Sequence, residues 1–244
     1  MLGPLLFFQR RLHHEIQVVF LLLTRRPAAA LGIFSLLFFP GVLLHEFSHF
    51  LMAQFLLVRT SGFSLMPTLL PGGRLRLGYV ETEETDFFRD ALIGTAPLLS
   101  GGLVVAYLAG ERLAFISLAN ALWQNNWPAF WNRLASLPQQ TDFWLWFYLA
   151  FAVSSTMLPS TSDRRAWLPL ALVLGVLLGL ALLAGAGPWM FEHLSPPFNR
   201  FLRLLTTIFG ISLALHLVLL APVALLRALL VRAMGLRLVE AGNI

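Results

Sequence analysis

Three residues within little more than one helical turn could do chemistry together: His45, Glu46 and His49, in the stretch His45-Glu46-Phe47-Ser48-His49. Residues four apart share a helix face, so the two imidazoles project side by side. Two ring nitrogens so placed can bind one Zn²⁺, with the intervening glutamate beside the metal as general base. The corresponding reaction is metal-assisted hydrolysis of a peptide bond. The stretch lies inside one of the most apolar runs of the chain, from about Leu31 to Val58. An ionisable side chain at a bilayer centre costs about 2.5–3.5 kcal/mol on insertion scales. Ligation of a cation is a strong enough interaction to offset that cost.

A catalytic zinc takes three protein ligands and leaves a further position open. The third ligand must therefore come from elsewhere in the chain, and the residues near apolar helix ends are Asp163, Glu111, Glu192, His193 and His216. Asp163 is preferred on local grounds, because it follows Pro159 and the hydroxyl residues Ser160, Thr161 and Ser162. Irregular backbone near membrane depth is tolerated only where protein buries it or it lines a wet cavity. The rival reading pairs Asp163 with Arg164 or Arg165 as an interfacial carboxylate. His216 stands alone on an apolar helix and reads as a polar link between helices. Ser100, in a later apolar run, is a candidate donor to the oxyanion of the reaction.

The elements that must position these residues are helices in a membrane. The 244-residue chain is 58% hydrophobic and 12% charged, with a mean hydropathy of +0.76. Soluble domains carry about a quarter charged residues. All 17 basic residues are arginine. They border apolar runs, as side chains that snorkel to lipid headgroups do, and this argues against a nucleic-acid partner. There is no cysteine, which excludes disulfides, thiolate nucleophiles and Cys-based zinc sites.

These patterns predict an all-α polytopic membrane protein with about five transmembrane helices, three forming a catalytic core and two following it. Residues 1–28 read as an amphipathic segment lying in the interface, because Gln9, Arg10, Arg11, His13, His14 and Glu15 interrupt its apolar residues. The core is expected over residues 29–165, with spans near 29–58, 91–109 and 143–158. Pro40-Gly41 offers a kink one turn before His45. A small β-hairpin is predicted after the first span, around Pro71-Gly72-Gly73. The segment Ile116 to Asp142, with Trp123, Trp127 and Trp131, reads as amphipathic structure at the headgroups. Residues 166–244 supply the last two spans, near 167–186 and 204–226.

Taken together, the motifs resemble the site-2 protease family of intramembrane zinc metalloproteases. His45-Glu46-Phe47-Ser48-His49 matches the family's zinc motif, and Met157-Leu158-Pro159-Ser160-Thr161-Ser162-Asp163 is similar to its later Leu-Pro-…-Asp segment. Ala96-Pro97-Leu98-Leu99-Ser100 is similar to the family's middle-helix motif, where Asn usually stands in place of Ser100. Arg164-Arg165 follows the aspartate where the family often has Gly. The resemblance spans about Leu31 to Arg165. It implies one zinc per chain on His45, His49 and Asp163, with Glu46 as base. The implied substrate is a transmembrane segment of another protein, cleaved within the lipid of a bacterial cell membrane. A non-catalytic zinc-binding scaffold or subunit with the same fold is the alternative, and a metal transporter ranks below both.

Overall fold

The structure is a computed structural model that describes residues 2–69 and 75–235. The turn expected at Pro71-Gly72-Gly73 lies outside the described residues. The fold is mostly helical, and its first helices carry the site. Helix α1 spans Leu2–Thr24. Arg25 breaks it with a positive φ of 53°, and α2, Pro27–Phe55, begins with proline in its first turn. Proline suits that position because its missing N–H would be unpaired there anyway. The helix continues through Pro40.

A short antiparallel ribbon follows. β1, Thr60–Ser64, pairs with β4, Tyr79–Thr82. Inside them β2, Thr68–Leu69, pairs with β3, Leu75–Arg76. Asp86 then caps α3, Phe87–Tyr107, by accepting from the backbone N–H groups of Phe88 and Arg89. Those N–H groups have no partner within the helix, so the cap fixes where α3 starts. A π-helical turn, Leu108–Arg112, extends α3.

Two short helices, α4 (Phe115–Trp123) and α5 (Trp127–Ser136), fill the next connection. Trp123, Trp127 and Trp131 on them are exposed, as expected of headgroup-level anchors. Helix α6, Phe143–Thr156, leads to a non-helical loop and then to α7, Trp167–Leu183. The last two helices are α8, Gly187–His193, and α9, Ser195–Ala233.

Among the described residues, three helices are long and apolar enough to cross a membrane: Pro27–Phe55, Phe87–Arg112 and Ser195–Ala233. The pair α7 and α8, bent by 118°, brings the number to at most four. This differs from the five spans read from hydropathy. Helix α6 has 14 residues, and at ~1.5 Å per residue it reaches only ~21 Å against a hydrocarbon core of ~30 Å. Its apolarity serves burial inside the bundle: Ala150, Phe151, Ala152, Val153, Ser154 and Ser155 are all buried. Helix α7 has no buried residue, and its exposed leucines and valines suit a lipid-facing surface.

Helix α1, expected to be an amphipathic segment in the interface, packs onto the bundle. It runs against α9 and α2. Leu12 and Ile16 join Phe34, Phe38 and Val42 of α2 and Phe151 of α6 in one core cluster. Glu15 is fully buried and pairs with Arg11 and with Arg227 of α9, each at 2.9 Å. Glu15, one of the polar residues that interrupt the apolar run, is thus turned inward toward basic partners, while Arg10, Arg11 and His14 stay exposed.

Candidate metal centre

The two histidines of α2 are oriented by backbone carbonyls that other helices leave unpaired. His49 Nδ1 donates to the carbonyl of Ile93 at 2.8 Å. In a regular helix that carbonyl would accept from residue 97, but residue 97 is proline and has no N–H. His45 Nδ1 donates to the carbonyl of Thr156 at 2.6 Å. Thr156 is the last residue of α6, and Ser160, four residues on, sends its N–H to Asp163 Oδ2 at 2.6 Å instead. The approach of α6 is made possible by Gly41, four residues before His45. A Cβ there would collide with the carbonyl of Ala152 and with the Thr156 hydroxyl.

A carbonyl only accepts, so each Nδ1 carries the proton and each Nε2 presents a lone pair. The two Nε2 atoms are 3.2 Å apart. Asp163 faces them, with Oδ2 at 3.7 Å from His45 Nε2 and Oδ1 at 3.6 Å from His49 Nε2. One ligand atom from each of the three residues lies within 4.8 Å of the others, and the group could hold a metal ion. Tetrahedral Zn²⁺ with bonds of about 2.0–2.1 Å has ligand–ligand edges of about 3.3 Å. The donor set fits and so does the edge between the two nitrogens, while the carboxylate stands wider than that edge. With both rings neutral in that tautomer, two lone pairs and a carboxylate converge, and a cation among them would offset their repulsion.

Asp163 lies in the loop between α6 and α7. Its Oδ2 accepts the backbone N–H of Ser160 at 2.6 Å, a bond that favours the ionised, ligating form of the carboxylate. The rival pairing with its arginine neighbours does not form. Arg164 Nε bonds the Ser160 carbonyl at 3.1 Å, and Arg165 engages Asp90.

Glu46 is 8% exposed and lies under the β-ribbon. A Cβ on Gly78, between β3 and β4, would approach Glu46 Cγ to 2.9 Å and Oε1 to 3.2 Å. Only the absence of a side chain at residue 78 lets the ribbon cross so closely. His45, Glu46, His49 and Asp163 share one cavity of about 740 Å³, which Gln9 and His13 of α1 and Arg76 to Thr82 of the ribbon also line. That volume is within the range of small-molecule and peptide side-chain pockets, about 300–1,000 Å³.

The other candidate residues fall elsewhere. Ser100 does not line this cavity. Its hydroxyl is 2.5 Å from that of Ser48, and it reaches the Pro97 carbonyl at 3.3 Å, so it links α3 to α2. Ser48 and Ser100 lie where the two helices pack, so the hydroxyl expected as an oxyanion donor engages Ser48 here. Glu111, Glu192 and His193 are exposed, and His193 stacks on Trp189. His216 is fully buried and bonds Ser155 of α6 at 3.0 Å, the interhelical link expected of it. The carbonyls of Ile93 and Thr156, together with Gly78 and Asp90, were missed in the sequence. Pro97 was the legible signal for Ile93, since a proline frees the carbonyl four residues upstream; the Thr156 carbonyl is free because α6 ends there and the Ser160 N–H turns to Asp163.

No family model, curated protein or solved structure matches the chain.

Proposed function

We propose that this chain is an intramembrane zinc endopeptidase of the site-2 protease type, cleaving transmembrane segments of other membrane proteins. The observation that carries the reading is the convergence of His45 Nε2, His49 Nε2 and the Asp163 carboxylate beside Glu46 in one cavity. Zinc held by these ligands would supply Lewis acidity, lowering the pKa of a water towards ~7 and polarising a peptide carbonyl.

The chain's own residues supply the rest. Ile93 and Thr156 hold the imidazoles in one tautomer and one orientation, as carbonyl partners of metal-ligating histidines do. Glu46 accepts a proton from the attacking water and returns it to the departing amine. The ribbon above Glu46 limits access of bulk water from that side, which strengthens electrostatics within the cavity. The exposed apolar faces of α2, α3, α7 and α9 suit contact with lipid, which supports a multi-pass position in a membrane.

The deciding experiment measures the metal content of the purified protein and of its His45→Ala and Asp163→Ala forms. One zinc per chain, lost in both variants, is expected. A metal-free wild-type protein would refute the reading. A non-catalytic zinc-binding scaffold is the second reading, favoured by the engagement of Ser100 with Ser48 away from the cavity. Zinc bound without cleavage of any reconstituted membrane substrate would select it.

A further inference from the structure

The loop that carries Asp163 has little apolar packing of its own. From Ser160 to Arg165 every residue is exposed except the partly buried Asp163. A metal ligand on such a loop needs an external fixture, because a displacement of about 1 Å is enough to spoil a site. Helix α3 provides two. Gly94 leaves room for the Asp163 backbone, whose carbonyl oxygen fills the space a Cβ would take. One turn earlier, Asp90 receives Arg165 through two bonds of 2.7 Å, from Nε to Oδ2 and from Nη2 to Oδ1. Asp90 and Gly94 stand four residues apart and so share one face of the helix. Loop residues 163 and 165 both dock on that face.

We infer that Asp90 and Arg165 are a positioning pair for the metal site, fixing the Asp163 carboxylate at the distance from His45 and His49 that ligation requires. This rests on the metal-site reading above. The two-pronged contact is what suits Arg165 to the task. A guanidinium on a carboxylate fixes both distance and plane, whereas a lysine would fix only a point. The pair also neutralises a carboxylate that lines the same cavity as the metal ligands. With Asp90 removed, the Arg165 cation is released two residues from Asp163 and competes for its carboxylate.

The test is zinc affinity of the full-length protein in detergent micelles, stripped of metal and titrated against a chromophoric chelator. Wild type, Asp90→Ala, Arg165→Ala and the double variant are compared, with thermal melting of each metal-free form. Outer partners of metal ligands are worth about 10–100-fold in affinity, and each single variant is expected to lose that much. The double variant should lose no more than the worse single one, because the two residues act as a unit. A fixture for the fold alone would lower the melting temperature and leave zinc affinity of the folded protein unchanged, which overturns the inference. Losses that simply add overturn the pairing. Should Arg165→Ala fail to fold, Arg165→Lys keeps the charge without the fork, and wild-type affinity in it overturns the proposal. A wild-type protein that binds no zinc overturns this inference and the metal-site reading together, whereas tight wild-type binding with unaffected variants overturns this one only.

Discussion

Gly94 of α3 lies directly against the backbone of Asp163, so that the carbonyl oxygen of the aspartate occupies the place where a side chain on residue 94 would begin. Two elements distant in sequence therefore meet at van der Waals contact through a position with no side chain. Tight approach of this kind transmits any added volume straight to the neighbour, because packed interiors have little slack.

Gly94→Ala is accordingly expected to push the Asp163 loop away from His45 and His49. Overpacking of this kind costs about 1–3 kcal/mol. Zinc affinity should fall by an order of magnitude or more, while the helical signal in circular dichroism stays intact. Undiminished zinc binding by Gly94→Ala would show that the loop relocates without consequence for the site.

Glu46→Gln separates metal binding from turnover. Glu46 is not among the three residues that could hold the ion, so zinc content should match wild type. Cleavage of a reconstituted transmembrane substrate should drop by about 10²–10⁴-fold, the usual worth of a general acid–base group. Wild-type cleavage rates in this variant would remove Glu46 from the mechanism.

Gly78 controls Glu46 from above. In Gly78→Val the new Cβ would crowd Glu46 Cγ and Oε1 at 2.9 and 3.2 Å, and the ribbon or the carboxylate must move. The expected result is slower cleavage with zinc content unchanged, read by single-turnover kinetics beside metal analysis. A loss of zinc instead would mean that the ribbon supports the histidines as well.

The α1–α9 contact depends on Glu15, which is fully buried between Arg11 and Arg227. Glu15→Ala leaves Arg227 without its partner, and breaking a buried ion pair on one side costs about 3–5 kcal/mol. Thermal unfolding in micelles should shift down, and α1 should become sensitive to limited proteolysis before the rest. Equal protease resistance of α1 in both proteins would contradict the packing described.

The start of α3 carries a pH dependence. Asp86 accepts from the N–H groups of Arg89 and Phe88, which lowers its carboxyl below the ordinary value. A depressed folded-state pKa means stabilisation that is present above the unfolded value of ~3.9 and lost as pH falls through the folded value. The stability difference between wild type and Asp86→Ala should therefore be largest near neutrality and shrink on acidification below ~4. A difference that grows on acidification would contradict the cap.

Much of the site was legible in the sequence because its logic is local. The spacing of His45 and His49 places both on one helix face, whatever surrounds that helix. Their cost within an apolar run pointed to a ligand, and Asp163 was singled out by the proline and hydroxyl residues before it. Hydropathy likewise gave the membrane class and the long helices α2 and α9. What it could not give was span length at α6, where apolar residues serve burial among neighbours as well as they would serve lipid.

The remainder depended on which chain segments meet. No local rule pairs the Ile93 carbonyl with His49, or Arg165 with Asp90, because each contact joins helices whose packing is set by the whole bundle. Ser100 illustrates the difference: its residue type permits an oxyanion donor, but the approach of α3 to α2 gives its hydroxyl to Ser48. Glu15 does the same for α1, where sequence showed a polar face and the structure supplied Arg227 to bury it against. The sequence by itself determined the chemistry that His45, Glu46 and His49 can do. The tertiary structure decided where Asp163 stands relative to them, because that distance is fixed by side chains missing at Gly41 and Gly94 and by the carbonyls of Ile93 and Thr156 that orient the rings.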